Sequence, residues 1–532
     1  MRTGKAAAPQ SRSPSTNRDA GRSEVPNIDR PVHGAVAANF ASLAYVMLAS
    51  VIAVPIYLRL LGAEGYGLVG FFTLLSAGFQ LFNVGLSQTF ARECARFRAG
   101  ALDGQDLRRL LSAFERFFWG VSIAGALVIA LSARYLAADW LHAERLPVHD
   151  VTIAIVLMAV AVPCQWVSGL YRGALIGFER QILLAVFNIA VNTARYFGVT
   201  VALTAWRATP ICFFAFQACV SALELGILIV LSRTLMPSKT VGAPTRLPSQ
   251  ELRRVLGFSS AVAFSAIAWL GLTQGDKLVL SRVLSLPDYG IFTLAAVAAG
   301  AVATLGLPIE QAILPRLTKL HAEGSAKAAG DLYRRSTQFV CLIAFPAALL
   351  LVCFAGRVIW AWTGDAAFVS EAAPILRAYA IGSGLVTVSA FPYYLQYSHG
   401  ALRLHVIGQA LLLLMLAPAL VVAGVRYGAV GTGLVWTALN AAYFLLWTPV
   451  VHRAFAPGLH WRWLLLDIAP IAGATAAAAA LASLFPWPSD RLMTVLQLLG
   501  VGAVILCAGM AASSAARLQM KIVTRSLAGA LP

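Results

Sequence analysis

From residue 34 almost to the C-terminus, long apolar stretches alternate with short polar ones. Most approach or exceed the roughly 20 residues a helix needs to cross a bilayer. A sliding window of that length places spans near 34–60, 67–91, 113–136, 150–171, 181–205 and 210–232. A polar stretch with Pro237, Pro244 and Pro248 follows. The pattern then resumes near 256–281, 288–314, 335–356, 374–396, 402–424 and 428–451, and closes with a pair near 464–485 and 491–513. The expected fold is an all-α polytopic membrane protein of about 14 transmembrane helices, arranged as two parallel six-helix lobes plus a C-terminal helical hairpin. The corresponding division is a disordered cytoplasmic tail at 1–33, an N-lobe at 34–232, a cytoplasmic linker at 233–255, a C-lobe at 256–451, and the hairpin with its tail at 452–532.

Composition sharpens this picture. Of 532 residues, 59% are hydrophobic and 12% charged, with mean hydropathy +0.75, against about 25% charge in a soluble domain. A soluble globular enzyme is excluded. The net charge of +18 would suit nucleic acid in a soluble protein, but here the basic residues sit between apolar segments and report orientation instead. With the N-terminal tail in the cytoplasm, about thirty basic residues fall on that side. Nine fall opposite: Arg59, Arg134, Arg145, Arg207, Arg282, Arg357, Arg377, Arg426 and Arg491. The expected placement is a multi-pass protein with both termini cytoplasmic. Before Gly34 there is no short apolar core with a small-residue cleavage site, so the first span reads as uncleaved. The seven cysteines form no CxxC pair, and neither a disulfide framework, a metal site nor a cofactor is expected.

The two six-span blocks repeat. Leu58-Arg59-Leu60-Leu61-Gly62-Ala63-Glu64-Gly65-Tyr66-Gly67 lies over Ser281-Arg282-Val283-Leu284-Ser285-Leu286-Pro287-Asp288-Tyr289-Gly290, with Tyr66 matching Tyr289. Each copy leads into an apolar helix containing Gly-Leu, at Gly85-Leu86 and Gly306-Leu307, and then a basic loop. Because six spans separate them, both copies enter the membrane in the same sense, as in transporters built from parallel lobes that hold cargo between them.

These residues carry a family likeness. The run from Asn39 through Pro55-Ile56-Tyr57-Leu58-Arg59-Leu60-Leu61-Gly62 and Tyr66-Gly67 to Gly85-Leu86 and Arg92 resembles the first two helices of bacterial polysaccharide and O-antigen flippases. Asp276-Lys277-Leu278-Val279-Leu280-Ser281 with Tyr289-Gly290 is similar to the same family's seventh helix and turn. That family lies in the multidrug/oligosaccharidyl-lipid/polysaccharide exporter superfamily. The resemblance implies a flippase of the bacterial inner membrane, moving undecaprenyl-diphosphate-linked oligosaccharide between leaflets by alternating access. It implies as partners that lipid-linked oligosaccharide, membrane lipid, and the polymerase and other proteins of surface polysaccharide biosynthesis; it implies neither nucleic acid nor enzymatic chemistry. Two departures separate the chain from sister branches. Arginines stand inside the first helices of lipid II flippases, whereas Arg59 here only ends the first span. Drug exporters often carry an acid in the first helix, and none lies between Gly34 and Leu61. The terminal hairpin exceeds the twelve-helix pattern common in the polysaccharide branch.

Polar residues inside spans are the candidate site. Charge at mid-bilayer costs about 2.5–3.5 kcal/mol on insertion scales and needs a partner or a watery cavity. On the fifth span Asn188, Asn192 and Arg195 share one face. The expectation is a substrate-binding wall, with the Arg195 fork meeting diphosphate or sugar oxygens. The competing reading pairs Arg195 with a helix-end carbonyl or with Glu224. On the seventh span Lys277 is a further substrate-binding candidate; neighbours on a helix point about 100° apart, so Asp276 and Lys277 are expected to face different places. Glu310, two residues after Pro308, is the leading ion-coupling candidate, with Asp276 and Glu224 as further carboxylates whose alternative is an ion pair or packing hydrogen bond. Asn39, Gln80, Asn83, Ser87 and Gln88 read as interhelical glue. The Tyr393, Tyr394 and Tyr397 cluster and His405 read as an interfacial belt.

Two rivals remain at this level. One is an ion-coupled drug or small-solute antiporter of the same architecture. The other is a membrane glycan polymerase or ligase, which needs a substantial external domain. The longest external loops here, 133–150 and 356–373, are short, although they hold Asp139, His142, Glu144, His149, Asp365 and Glu371.

Overall fold

A computed structural model gives the architecture and describes residues 29–83, 85–237 and 259–519. Its helices in the first block are α1 Asp29–Gln80, α2 Leu86–Arg98, α3 Gly104–Tyr135, α4 Val148–Gly177, α5 Gln181–Thr193, α6 Val199–Ala205 and α7 Pro210–Leu235. Those of the second are α8 Ser259–Val283, α9 Leu286–Thr304, α10 Leu307–Ala322, α11 Ala326–Cys353, α12 Ala355–Thr363, α13 Ala367–Ser389, α14 Phe391–Ser398, α15 Arg403–Ala442 and α16 Thr448–Phe455. The terminal hairpin follows as α17 Leu459–Arg462, α18 Ala469–Ala482 and α19 Arg491–Ala512. No strand occurs among the described residues; extended pairing is limited to one bridge between His142 and Ser285. The chain is all-α and polytopic.

Among the described residues, eleven helical runs are long and apolar enough to cross a membrane, where the sequence pattern suggests about 14. The difference has physical causes. Two runs, Ala38–Gln80 and Arg403–Phe455, hold 43 and 53 residues, about 65 and 80 Å if straight, at least twice a hydrocarbon core of about 30 Å. Each breaks at a glycine in the left-handed region, Gly62 (φ 72°) and Gly428 (φ 59°), where a side chain would be strained. The third cause is α8, whose Gln274, Asp276 and Lys277 dilute its apolar run.

Several boundaries differ from expectation. The predicted tail lies outside the described residues up to residue 28, but Asp29 already opens α1, so its last five positions are helical. The predicted linker lies outside them from residue 238, and the C-terminal tail from residue 520. The span expected at 67–91 stops at Gln80, and the chain turns through Gly85 (φ 72°) into the amphipathic α2. The span expected at 288–314 stops at Thr304 and resumes at Leu307. Both interruptions fall at the Gly-Leu shared by the two repeats, and Pro308 at the start of α10 favours a fresh helix there.

Each block is organised round one deeply buried helix. α4 packs against α7, α3 and α2, and α13 against α9, α15, α11 and α12; the spans built on these two helices are each 61% buried over their most apolar stretch. Side-chain caps set several starts: Thr209 before Pro210, Asp490 before Arg491, and Ser285, whose hydroxyl accepts from the Asp288 amide and donates to its carboxylate.

The hairpin is held to the second block at both ends. At one, the Asp467 carboxylate is 1% exposed. It accepts from Arg334 Nε at 2.6 Å and Nη2 at 3.1 Å, and from Gln338 Nε2 at 2.6 Å. Gln338 Oε1 then accepts from Ser513 Oγ at 2.7 Å and from the Ala515 amide at 2.9 Å. At the other, Arg491 donates to the Ala361 and Trp362 carbonyls, both at 2.9 Å, satisfying acceptors that the end of α12 leaves unpaired.

Candidate functional sites in the membrane

The most concentrated intramembrane charge lies in the first block. Between α5 and α6 the helix widens into a π turn, Ala194–Gly198, a form that recurs at functional sites. The carbonyls it displaces find side-chain donors: Tyr57 Oη donates to Arg195 O at 3.2 Å and Tyr196 O at 3.0 Å, and Gln217 Nε2 to Arg195 O at 3.1 Å. The turn aims Arg195 at α7, where its guanidinium donates to Glu224 and, at 3.3 Å, to Ser221 Oγ.

Glu224 has a second partner that sequence reasoning missed. Arg172 of α4 donates both to Glu224 and to Asn188 Oδ1. With the fourth span expected to end at residue 171, Arg172 read as a loop cation; the apolar Gly173-Ala174-Leu175-Ile176-Gly177 beyond it was the signal that the helix continues. Two guanidiniums therefore share one carboxylate. Glu224 is 3% exposed, whereas the Arg172 and Arg195 side chains keep 27% and 14% of their surface open, so the acid is sealed while each cation keeps a free edge. Asn188 joins this group directly, but Asn192 donates at 2.8 Å to its own helix at Asn188 O.

The other candidates lie elsewhere. Asp276, buried on α8, faces the Tyr379 hydroxyl of α13. Lys277 curls back on its own helix, donating to Thr273 O at 2.8 Å and lying 3.5 Å from Asp276 Oδ1. The expectation that these neighbours face different places is thus corrected, because a four-carbon stem spans the angle between adjacent positions.

Glu310 borders a cavity of about 450 Å³ in the second block, against the Tyr394 hydroxyl. Tyr393, Trp436, Asn440 and His405 share that cavity. Tyr393, Tyr394 and His405, which the sequence reads as an interfacial belt, therefore line a cavity. Among the described residues no group of three His, Cys, Asp or Glu side chains is placed to hold a metal. Asn83 accepts from the Ser87 amide and hydroxyl at the start of α2.

One end of the bundle is sealed between the blocks. The repeated segments meet there: a β-carbon on Gly290 would strike the Ala63 carbonyl, and one on Gly67 the Leu286 carbonyl. Arg59 crosses to donate to Thr363 O at 3.2 Å, and Trp362 Nε1 donates to Val51 O at 2.8 Å. Its repeat equivalent Arg282 pairs with His142 Nε2 at 3.1 Å and lies over the Trp140 ring, which itself donates to Ser281. Glu64 steadies the 142–146 turn by accepting from the amides of Glu144, Arg145 and Leu146 at 2.8–3.1 Å. Among the loop residues considered as catalytic, His142 serves this seal, Glu144 lends only its backbone amide to Glu64, and Asp365 caps Ala367.

The family model described as "Polysaccharide biosynthesis protein" matches residues 35–321. A Shigella flexneri protein named "Putative O-antigen transporter" is 20% identical over 315 residues, 58% of this chain and 71% of that one. Among solved structures, the lipid II flippase MurJ in an inward closed conformation superposes with TM-score 0.69 at 12% identity, over 90% of this chain and 98% of its own. An inward-facing multidrug resistance MATE family transporter of the MOP superfamily gives 0.62 at 13% identity, over 80% and 99%. At these identities the superpositions establish a shared fold.

Proposed function

Since the chain belongs to the polysaccharide biosynthesis protein family, we propose that it is a flippase that moves undecaprenyl-diphosphate-linked oligosaccharide from the cytoplasmic to the periplasmic leaflet. Alternating access of its two blocks would drive the movement, and no bond is made or broken. The observation that carries this reading is the Arg172–Glu224–Arg195 group, two cations on one anion within the first block. Its surplus positive charge is costly in a membrane unless an anion visits, and the open edges of both guanidinium forks suit phosphate oxygens. The second block supplies a complementary surface: Tyr393, Tyr394 and Trp436 beside Asn440 and Glu310 offer aromatic faces and hydrogen bonds of the kind sugars use.

The experiment deletes the gene in its host and measures lipid-linked oligosaccharide in each leaflet alongside surface polysaccharide. Rescue is then attempted with wild type and with Arg195→Ala. The reading expects repeat units trapped on the cytoplasmic face and surface polymer lost, both restored by wild type and not by the variant. Normal surface polysaccharide and normal leaflet distribution would overturn the cargo. Units stranded unpolymerised on the outer face would indicate a polymerase instead.

A second reading, ion-coupled export of a small solute, has its own observation in the Glu310 carboxylate lining the second-block cavity. Cation-stimulated solute transport by the purified protein, lost in Glu310→Gln, would favour it.

A further inference from the structure

On the face carrying Arg59 and Arg282, a second basic site lies apart from the seal. A cavity of about 510 Å³ opens between α12, α13 and the hairpin turn, lined by Arg357, Arg377, Trp360, Trp487, Val369 and Ser483 among others, with no carboxylate in its wall. We propose that this cavity binds the phosphate of an anionic lipid from the adjoining leaflet.

The argument begins with Arg377. It stands ten residues after the start of α13, about 15 Å along the axis, on a helix of membrane-spanning length. Among the described residues neither Arg377 nor Arg357 has a carboxylate within ion-pair distance. Unpaired guanidiniums beside a bilayer favour an anionic partner, and a lipid phosphate is the anion a bilayer supplies at its surface. Arg357 lies over the Trp487 ring at 5.9 Å. That stacking uses its face and leaves the donor edge for an oxyanion. Trp360 and Trp487 are the residue type that settles at headgroup level.

The surroundings suit a lipid better than a free anion. Ile381, one turn further along α13, is exposed at 44%, and Leu481, Leu484 and Phe485 of the hairpin are exposed at 63–79%. Apolar surface therefore leads away from the cavity on both walls, where acyl or isoprenoid chains would run. The cavity shares no residue with the Arg195 group or the Glu310 cavity, so this inference holds whichever cargo the protein carries.

Native mass spectrometry of the purified full chain in detergent tests it, with phosphatidylglycerol, phosphatidylcholine, undecaprenyl diphosphate and inorganic phosphate as separate probes. The wild type should retain phosphatidylglycerol or undecaprenyl diphosphate in preference to phosphatidylcholine. The tighter of the two names the source, bilayer lipid or carrier, and displacement by inorganic phosphate shows that the headgroup alone suffices. Combined Arg357→Gln and Arg377→Gln should weaken retention by about tenfold or more, roughly one strong charge-assisted contact. Arg377→Lys, which keeps the charge and loses the fork, should fall between. Single Arg377→Gln serves if the pair fails to fold. Retention unchanged in a variant whose melting temperature matches wild type, or no preference for anionic lipid in the wild type, would overturn the proposal.

Discussion

Gly290 lies so close to Gly67 that a β-carbon on it would come within 3.0 Å of the Gly67 amide nitrogen. These are matching positions of the two repeats, so the halves of the molecule touch through the same point of their own sequence. Gly290→Ala should therefore wedge the seal apart, since overpacking costs about 1–3 kcal/mol. Modification of a cysteine placed at the buried Thr293 should accelerate about tenfold, the factor that ~1.4 kcal/mol corresponds to. Equal rates with and without the alanine would show that this contact does not hold the seal.

Arg59 and Arg282 latch the same end from opposite sides. Each is a surface contact of the kind worth about 0.2–1 kcal/mol, and they touch different turns. Arg59→Ala and Arg282→Ala should each raise labelling at the same reporter slightly, and the double variant should show the summed effect in free-energy terms. Strong non-additivity would mean that one latch depends on the other.

Removing members of the Arg172–Glu224–Arg195 group should not be equivalent. Glu224→Ala leaves two cations facing each other and should cost about 3–5 kcal/mol, as breaking buried pairs does. Arg195→Ala leaves Arg172 and Glu224 as a matched pair and should melt closer to wild type while losing transport. A thermal series in detergent decides this, and the reverse order would reject the shared-carboxylate account.

Asp467→Ala should release the hairpin. It strands Arg334 and breaks the link through Gln338 to Ser513 and Ala515. Limited proteolysis should then cut at the Asp467 end, between α16 and α17, well before the rest of the chain is attacked. Simultaneous cleavage throughout would indicate that the hairpin and the second block unfold as one.

Cys94 sits on α2, outside the candidate spans. Burial first, and then the neighbouring Glu93 charge, push its thiol up to about 12. A raised value withholds the reactive thiolate until strongly alkaline pH, so at pH 8 only about one part in ten thousand is ionised. Alkylation of Cys94, read by peptide mass, should appear only after denaturation; rapid reaction in the native protein would contradict the burial of α2.

Much of the architecture was legible because lipid imposes a simple rule: apolar runs of fixed length, with cations between them on one side. The repeat was legible through Tyr66-Gly67 and Tyr289-Gly290, and the structure shows why those residues are small or exact: they are where the halves touch. Asn188 and Arg195 stood out because polar side chains on one face of an apolar helix have few explanations. Arg172 did not, since a cation near the end of a span looks like a loop residue until its partner on another helix is seen. The π turn at Arg195 left no mark in the pattern, because it shifts register by one residue without changing composition. The Asp467 clasp joins residues 133 and 129 positions apart in sequence, a distance over which no local periodicity speaks.

The close approach of Gly67 and Gly290 lies at one end of the bundle, and a pivot placed there would act as a fulcrum. Over a hydrocarbon depth of about 30 Å, each 10° of rocking about Gly67 and Gly290 swings the far ends apart by about 5 Å. Some 20° would thus open a gap of about 10 Å, the width of a helix, while the residues at the pivot scarcely move. Close packing at two positions without β-carbons would in this way be translated into a wide opening at the opposite face.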